Sequence, residues 1–289
     1  MWFKKWLRAA CMGWVLAGCV GGVAQADITI PVVNGQHLRP HFWDLPNRFE
    51  GRLFTPGQML FVNQSHQYYG ANGQRGDYAG GTQRTVYGIT ALPVAFKLNP
   101  GDDWAYIAGL DIQELTVTDD TGTLFSGQGN VLGDFIAWTR PSPDTSMGVN
   151  VLLGTPLHMG GDRLSRNQDL HLRGFVSHNV AGHNLEATVG YQHTYDSPAS
   201  LPRVRDNYHV NLRWGRDWMV ETLAARATPY VGYDRMWTDS GYAQLTQASV
   251  GVQLAHAKGT SWGVSRLRSL SGRNAPVADM WQAQLWLLY

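Results

Sequence analysis

The chain has 289 residues and a formal net charge of +1; 11% of its residues are aromatic and 33 are glycine. A charge so close to zero excludes the strongly basic surface that binds nucleic acid non-specifically. Beyond the first 26 residues there is no apolar run of the roughly 18 residues that a membrane-spanning helix needs, which excludes a helical membrane protein.

Residues 1–26 have the three parts of a secretory signal peptide. A basic start is followed by an apolar run over residues 9–23 and by the small-x-small cleavage site Ala24-Gln25-Ala26, so we expect the mature chain to begin at Asp27. As an alternative, Leu-Ala-Gly-Cys at 16–19 resembles a lipoprotein box in which Cys19 would be lipidated. Both cysteines lie in this segment, so cleavage after Ala26 excludes disulfides, thiol nucleophiles and cysteine metal sites.

Residues 27–56 mix polar, aromatic and proline residues without a clean period. We interpret them as an N-terminal extension that lies in the periplasm or inserts into a lumen, with a flexible arm as the alternative. From residue 57 onward, about twelve extended segments follow one another. Their predicted spans are residues 58–69, 83–97, 104–117, 131–139, 146–156, 167–179, 183–195, 205–214, 219–237, 243–256, 261–270 and 277–289.

Side chains alternate between apolar and polar along several of these segments, as they do when the two faces of a β-strand meet different surroundings. In the segment at 183–195, Leu185, Ala187 and Val189 alternate with Glu186 and Thr188. This alternation leaves open a sheet packed on a soluble core, because such a sheet also keeps one face polar.

The links between segments decide in favour of a barrel. Short turns such as Val-Ala-Gly at 180–182 follow every second segment, whereas the other links, such as residues 70–82 and 118–130, are long and polar. Short turns at one rim and long loops at the other are typical of outer-membrane proteins. The sequence therefore predicts an all-β fold, a transmembrane antiparallel up-and-down β-barrel of about twelve strands over residues 57–289, surrounded by lipid in the outer membrane of a Gram-negative bacterium.

The last ten residues, Met-Trp-Gln-Ala-Gln-Leu-Trp-Leu-Leu-Tyr, form an amphipathic segment with an aromatic end. An even number of strands places this end at the short-turn, periplasmic rim, where aromatic girdles lie. We expect the segment to close the barrel by pairing with residues 58–69.

Two segments carry irregularities. Pro93 predicts a bulge, an edge or a rim, because proline lacks the N–H that a strand ladder uses. In the segment at 261–270, the alternation places Arg266 and Arg268 on the lipid-facing side, where an arginine at mid-bilayer costs about 2–4 kcal/mol. A bulge near Ser265, or a position at the outer rim, would relieve this cost.

The polar faces of the strands predict the lining of a lumen. The candidate lining residues are His171, Arg173, Glu186, Gln192, Asn207, His209, Asn211, Arg213, Arg226 and Asp234. Side chains of mixed charge in a pore set its selectivity for small-molecule solutes, whereas paired charges in a narrow barrel can also be purely structural. We predict a passive channel or uptake pore, with no cofactor and with no preference for one oligomeric state.

Two other functions compete with transport. A lipid hydrolase needs a nucleophile beside a base, on the outer surface of the barrel near the lipid. Ser177 instead shares the polar face of His171 and Arg173, and its neighbour His178 faces the other way. The sequence therefore indicates no catalytic site, and the scattered histidines have no metal-ligand spacing. The third possibility is a structural or adhesive barrel whose long loops bind a partner.

Two short motifs carry a family resemblance. Ser-Gly-Gln-Gly-Asn-Val-Leu-Gly-Asp at 126–134 enters a strand, and Tyr233-Asp234 is followed by Asp239-Ser240-Gly241. They resemble the Gly-x-Gly-Asp and Tyr…Asp-x-Gly segments of the outer-membrane transporter family of the phenol meta-cleavage degradation pathway, although Gly-Thr-Pro at 154–156 permutes that family's Pro-Thr-Gly. The resemblance, which covers residues 57–289, implies a β-barrel that lets small, often aromatic or hydrophobic molecules cross the outer membrane. It implies no catalytic residue.

Overall fold

The computed structural model of the protein describes residues 54–57, 67–77, 83–96, 103–119, 122–154, 168–196, 206–239, 241–256, 260–277 and 279–288. In this part of the chain, no helix is long and apolar enough to cross a membrane. The predicted signal peptide, the lipidation alternative at Cys19 and the extension up to residue 53 lie outside the described residues.

Sixteen β-strands make up nearly all of the described chain. In chain order they are β1 (Phe54–Gly57), β2 (Gln67–Tyr69), β3 (Arg75–Asp77), β4 (Gln83–Phe96), β5 (Trp104–Asp119), β6 (Gly122–Ser142), β7 (Thr145–Gly154), β8 (Gln168–Val180), β9 (His183–Asp196), β10 (Asn207–Arg216), β11 (Trp218–Val220), β12 (Ala225–Thr238), β13 (Gln244–His256), β14 (Thr260–Arg273), β15 (Ala275–Pro276) and β16 (Met280–Leu288).

Twelve of these strands follow one another around a single antiparallel sheet. The order of hydrogen-bonded neighbours is β1, β16, β14, β13, β12, β10, β9, β8, β7, β6, β5 and β4. Cα atoms of β1 come within 8 Å of those of β4, so the sheet closes into a ring. The prediction of an all-β, antiparallel barrel of about twelve strands is confirmed.

The closing strand pairs immediately beside the segment expected. β16 pairs with β1, with Phe54 opposite Leu288 and Gly57 opposite Leu285, while residues 58–66 of the expected partner lie outside the described residues. Within the predicted span, β2 belongs to a separate three-stranded sheet with β3 and β15. The predicted extension at 27–56 therefore runs three residues into the barrel wall.

Two predicted boundaries also change. The single strand predicted at 219–237 is split, because a short 3-10 turn at Glu221–Leu223 and the left-handed residue Ala224 fold β11 back onto β12. The link predicted at 118–130 is instead part of the β5–β6 hairpin, which continues to the pair Asp119 and Gly122.

The ladder is irregular at Pro93 and regular at Ser265. The pairing of β4 with β5 shifts between Ala91 and Val94, so the bulge predicted at Pro93 is confirmed. In contrast, the pairs between β13 and β14 run without a shift past Ser265, and the irregularity of this ladder lies at Thr246 and Gln247. The suggested bulge near Ser265 is therefore wrong.

Apolar side chains are exposed and polar side chains are buried along these strands, the reverse of the pattern in a soluble protein. On β9, Val189 is 55% exposed whereas Glu186 is 9% exposed, and the same alternation runs through β7, β8 and β10. In a closed ring, the exposed apolar side chains point outward and the buried polar ones point inward. This arrangement is favourable only when the outer surface contacts lipid.

Candidate functional site: the lumen of the barrel

All ten predicted lining residues point to the inside of the barrel. Seven of them are buried, namely Arg173, Glu186, Gln192, Asn207, His209, Asn211 and Asp234. His171, Arg213 and Arg226 are half-buried. Contact of any of these side chains with a solute stays a prediction.

A continuous polar network crosses β8, β9 and β10 on the inner face. Ser177 Oγ donates to Asn184 Oδ1 at 3.0 Å, and Asn184 Nδ2 donates to Glu186 Oε1 at 2.6 Å. The guanidinium of Arg213 lies 4.0 Å from Glu186 Oε2 and is stacked 5.0 Å from the ring centroid of Tyr230. Hydrogen bonds of this kind compensate for the loss of water around buried charges.

A second network lies at the short-turn rim and is centred on Asp217. Its carboxylate accepts hydrogen bonds from Asn179 Nδ2 at 3.0 Å and from Thr228 Oγ1 at 2.7 Å. Arg226 Nε lies 3.7 Å from Asp217 Oδ2. Arg226 is thus placed at the rim, where an ion pair also fixes the turn between β10 and β12.

Glycines on the inner face allow large side chains to lie flat against the wall. A Cβ atom on Gly190 would come within 1.8 Å of the His209 ring, and one on Gly251 within 2.6 Å of the Tyr230 ring. These inward rings occupy the space that glycine leaves on the neighbouring strand. The inner wall is therefore closely packed by its own side chains at these positions.

An apolar sector on β6, β7 and β8 adjoins the polar networks. Its members are buried and share the inward parity of Asp134 and Asn150: Leu132, Ile136, Trp138, Leu152 and Phe175. The Phe175 ring lies over Gly148, where an added Cβ would meet Phe175 Cζ at 2.6 Å. Asn150 Nδ2 donates to Asp134 Oδ1 at 2.5 Å within this sector. The inner face is therefore amphipathic, with a mainly apolar sector beside a polar one.

Sequence reasoning missed this apolar sector because it collected only polar residues. The signal was present, since Leu152 is two positions beyond Asn150 and Phe175 two positions beyond Arg173, and a strand repeats its facing every two residues. Assigning every second residue of each strand to the inner face, whether polar or apolar, would have placed both side chains in the lumen.

Ser177 and His178 do not form a serine–histidine pair, and the described residues hold no metal-binding cluster. Ser177 is 2% exposed and its hydroxyl is bonded to an amide, not to a histidine. His178 points outward, where its Nδ1 lies 2.8 Å from Thr145 Oγ1. Across the described ranges, no three His, Cys, Asp or Glu side chains come together in a way that could hold a metal ion.

Solved outer-membrane barrels share this fold. An outer-membrane channel from Pseudomonas putida F1 aligns with a TM-score of 0.58 and 12% sequence identity, covering 87% of this chain and 99% of that one. The β-domain of the Bordetella autotransporter BrkA aligns with a TM-score of 0.50 and 15% identity, covering 82% of this chain and 98% of that one. No protein-family model and no curated protein matches the sequence. The fold is that of an outer-membrane β-barrel.

Proposed function

We propose that the protein is a narrow channel in the outer membrane of a Gram-negative bacterium, through which small amphipathic or aromatic molecules diffuse passively. The observation that carries this proposal is the amphipathic inner face, in which the apolar sector of β6–β8 adjoins the charged networks of β9–β12. Such a lining suits molecules with an apolar body and a few polar groups, since ligand sites combine apolar walls with few polar contacts.

The charge of the lumen supports a preference for uncharged molecules. Arg173 and Arg213 lie on the same inner face as Glu186 and Asp234, so both signs are represented there. A ring of one sign would select ions of the other sign, whereas mixed charges do not create such a field. Aromatic solutes can in addition stack on Trp138 and Phe175.

The width of the lumen limits the size of the solute. Asn150 is 1% and Arg173 is 4% exposed, so these side chains have to move when a solute passes. Molecules no larger than one aromatic ring with small substituents need the smallest movement. The resemblance of the motifs at 126–134 and 233–241 to the phenol-pathway transporter family supports the same class of solute.

Catalysis is not part of this proposal. Ser177 lies on the inner face, where its hydroxyl donates to Asn184 and not to a histidine, whereas His178 on the outer face contacts the hydroxyl of Thr145. The buried, inward position of Ser177 supports a transport function over a lipid hydrolase that would use this nucleophile.

A structural barrel is the second candidate, and one observation favours it. The hydrogen-bonded, nearly fully buried polar side chains of the lumen are also what a barrel without a permeant would need. Flux measurements separate the two candidates.

The test is reconstitution of the refolded full-length mature protein into vesicles, with measurement of phenol and glucose influx above that of protein-free vesicles, because phenol also crosses the lipid itself. We expect the protein-dependent influx of phenol to exceed that of glucose, and Trp138→Gln to lower the phenol-to-glucose ratio by about three- to tenfold, because an aromatic contact is lost. Trp218→Gln, an exposed tryptophan on β11, is the matched control and is expected to leave the ratio unchanged. Folded protein without flux of either solute would support the structural barrel and refute the channel.

A further inference from the structure

Three arginines lie on the lipid-facing side of neighbouring strands. Arg266 and Arg268 on β14 share the outward parity of Trp262, and Arg235 on β12 shares that of Tyr233. Most charged side chains of a barrel avoid this surface, because arginine on the lipid face is unfavourable.

The three side chains belong to one patch. Tyr233 pairs with Ala248, and Ala248 pairs with Arg268, so only the small residue Ala248 separates β12 from β14 along this row. With strands about 4.8 Å apart, the two outer strands are roughly 10 Å apart. Arg235 is two residues beyond Tyr233, and Arg266 is two residues before Arg268. We name Arg235, Arg266 and Arg268 the arginine cluster.

The cluster lies at the level of the interface on the long-loop side. Arg268 is eight residues beyond Thr260, the first residue of β14, and Tyr191 is eight residues beyond His183, the first residue of β9. Both strands begin at the short-turn rim. Tyr191, Tyr208 and Trp237 form an outward aromatic row there, with ring centroids 5.3 and 5.9 Å apart. Rows of this kind mark the boundary between lipid and water.

The height of Arg235 agrees with this placement. Arg235 is two residues beyond Tyr233 along β12. Arg268 is two strands away from Tyr233, along the row of paired residues Tyr233, Ala248 and Arg268, which is tilted because the strands are tilted. With strands tilted by about 40°, each of these two steps rises by about 5–6 Å. Arg235 and Arg268 are therefore side by side, at a height that agrees with the outer-rim position suggested by the sequence.

The charges of the cluster are not neutralised by carboxylates of the described chain. Arg235 lies over Trp237 at 5.9 Å and Arg266 over Trp281 at 5.3 Å, contacts that orient a guanidinium and leave its N–H donors available. Asp279 is next to Ser269, whose N–H it accepts at 2.8 Å, and it is paired with Arg75 at 3.6 Å.

We propose that the arginine cluster binds the phosphate group of a phosphorylated lipid of the outer leaflet, for which lipid A is the chemical type. Guanidinium groups form bidentate hydrogen bonds with phosphate, and such a partner would offset the cost of arginine at this surface. Below the cluster, Val231 and Val250 offer an exposed apolar wall for the acyl chains. The proposal rests on the proposed outer-membrane placement and is independent of channel activity.

The experiment is native mass spectrometry of the refolded full-length mature protein in detergent, titrated with bisphosphorylated lipid A or with the same lipid after removal of its phosphates. We expect retention of the phosphorylated lipid, and at least a roughly tenfold loss of affinity in the double variant Arg235→Gln/Arg268→Gln, because two charge-assisted contacts are removed. Arg216→Gln, at the short-turn end of β10, is the matched control and is expected to bind like the wild type.

Several outcomes would overturn the proposal. These are equal binding of phosphorylated and dephosphorylated lipid by the wild type, wild-type affinity in the double variant, or an equal loss in Arg216→Gln. Competition by millimolar inorganic phosphate alone would indicate a phosphate site without lipid specificity and would also refute it. If the double variant does not fold, the comparison of phosphorylated with dephosphorylated lipid on the wild-type protein still tests the proposal. Conductance in vesicles without lipid A tests the channel separately.

Discussion

At the scale of single residues, the packing of the inner wall depends on glycines, whose missing side chains leave room for large neighbouring rings. Gly190 on β9 is opposite His209 on β10, and the His209 ring occupies the position that a Cβ at residue 190 would take. His209 is itself buried, so its ring has little room to move away. The same relation holds between Gly251 and Tyr230. Glycine in these strands is therefore a packing requirement and not a flexible point.

We expect Gly190→Ala to destabilise the barrel by about 1–3 kcal/mol, because the added methyl group overpacks the lumen against His209. The measurement is the urea midpoint of folding into lipid vesicles, followed on unheated gels. Gly174→Ala is the matched control, since its Cβ would point outward and meet only Val189 Cγ2 at 3.6 Å. The effect should shrink in the double variant Gly190→Ala/His209→Ala; an equal loss in the control would contradict the packing explanation.

At the scale of elements, strand length separates the part that crosses the membrane from the part that projects beyond it. β5 has 16 residues and β6 has 21 residues. A tilted strand needs about 9–11 residues to cross the bilayer. The upper part of this hairpin, from the pair Glu114 and Gln128 onward, therefore extends past the interface on the long-loop side.

Replacing residues 113–130 by Asn-Gly should leave the barrel folded, because a two-residue turn of this type joins the paired residues Ile112 and Val131 without changing the register of the two strands. We expect the folding free energy, measured by urea titration, to change by less than about 1 kcal/mol, because a change in loop length has a small effect on stability. Deletion of the single residue Ile136 is the control. It would move the later residues of β6 to the opposite face, so it should abolish folding. Loss of folding in the hairpin variant would show that the projecting part is needed for assembly.

At the scale of the whole molecule, the inverted exposure distinguishes a barrel in lipid from one in water. Leu212 is 48% exposed in the middle of β10, and Val180 is 50% exposed at the short-turn end of β8. In water the two positions would be equivalent. In a bilayer, Leu212 is at depth and Val180 is near the interface.

We expect Leu212→Arg to lower the folding free energy in vesicles by about 2–4 kcal/mol and Val180→Arg by about 0–1 kcal/mol, because the cost of arginine depends on depth. Urea titration of both variants in the same vesicles measures the difference. Equal stabilities would argue against a lipid-facing outer surface.

The sequence by itself determined the architecture, because its signals are local. A repeat of two residues fixes which face is apolar, and glycine and proline fix the turns, so the all-β architecture and the approximate strand number could be read directly. The bulge at Pro93 followed in the same way, from one missing N–H. The predicted start of the barrel at residue 57 shows the limit, because β1 already begins at Phe54.

Only the tertiary structure decided which strands meet and what faces them. The register in which β16 meets β1, with Phe54 opposite Leu288, joins residues more than two hundred positions apart, and no local pattern fixes it. The apolar sector beside the polar networks, and the arginine cluster across β12 and β14, arise in the same way from the register between strands. Periodicity assigns each side chain to a face, whereas neighbours on that face depend on pairing, which is non-local.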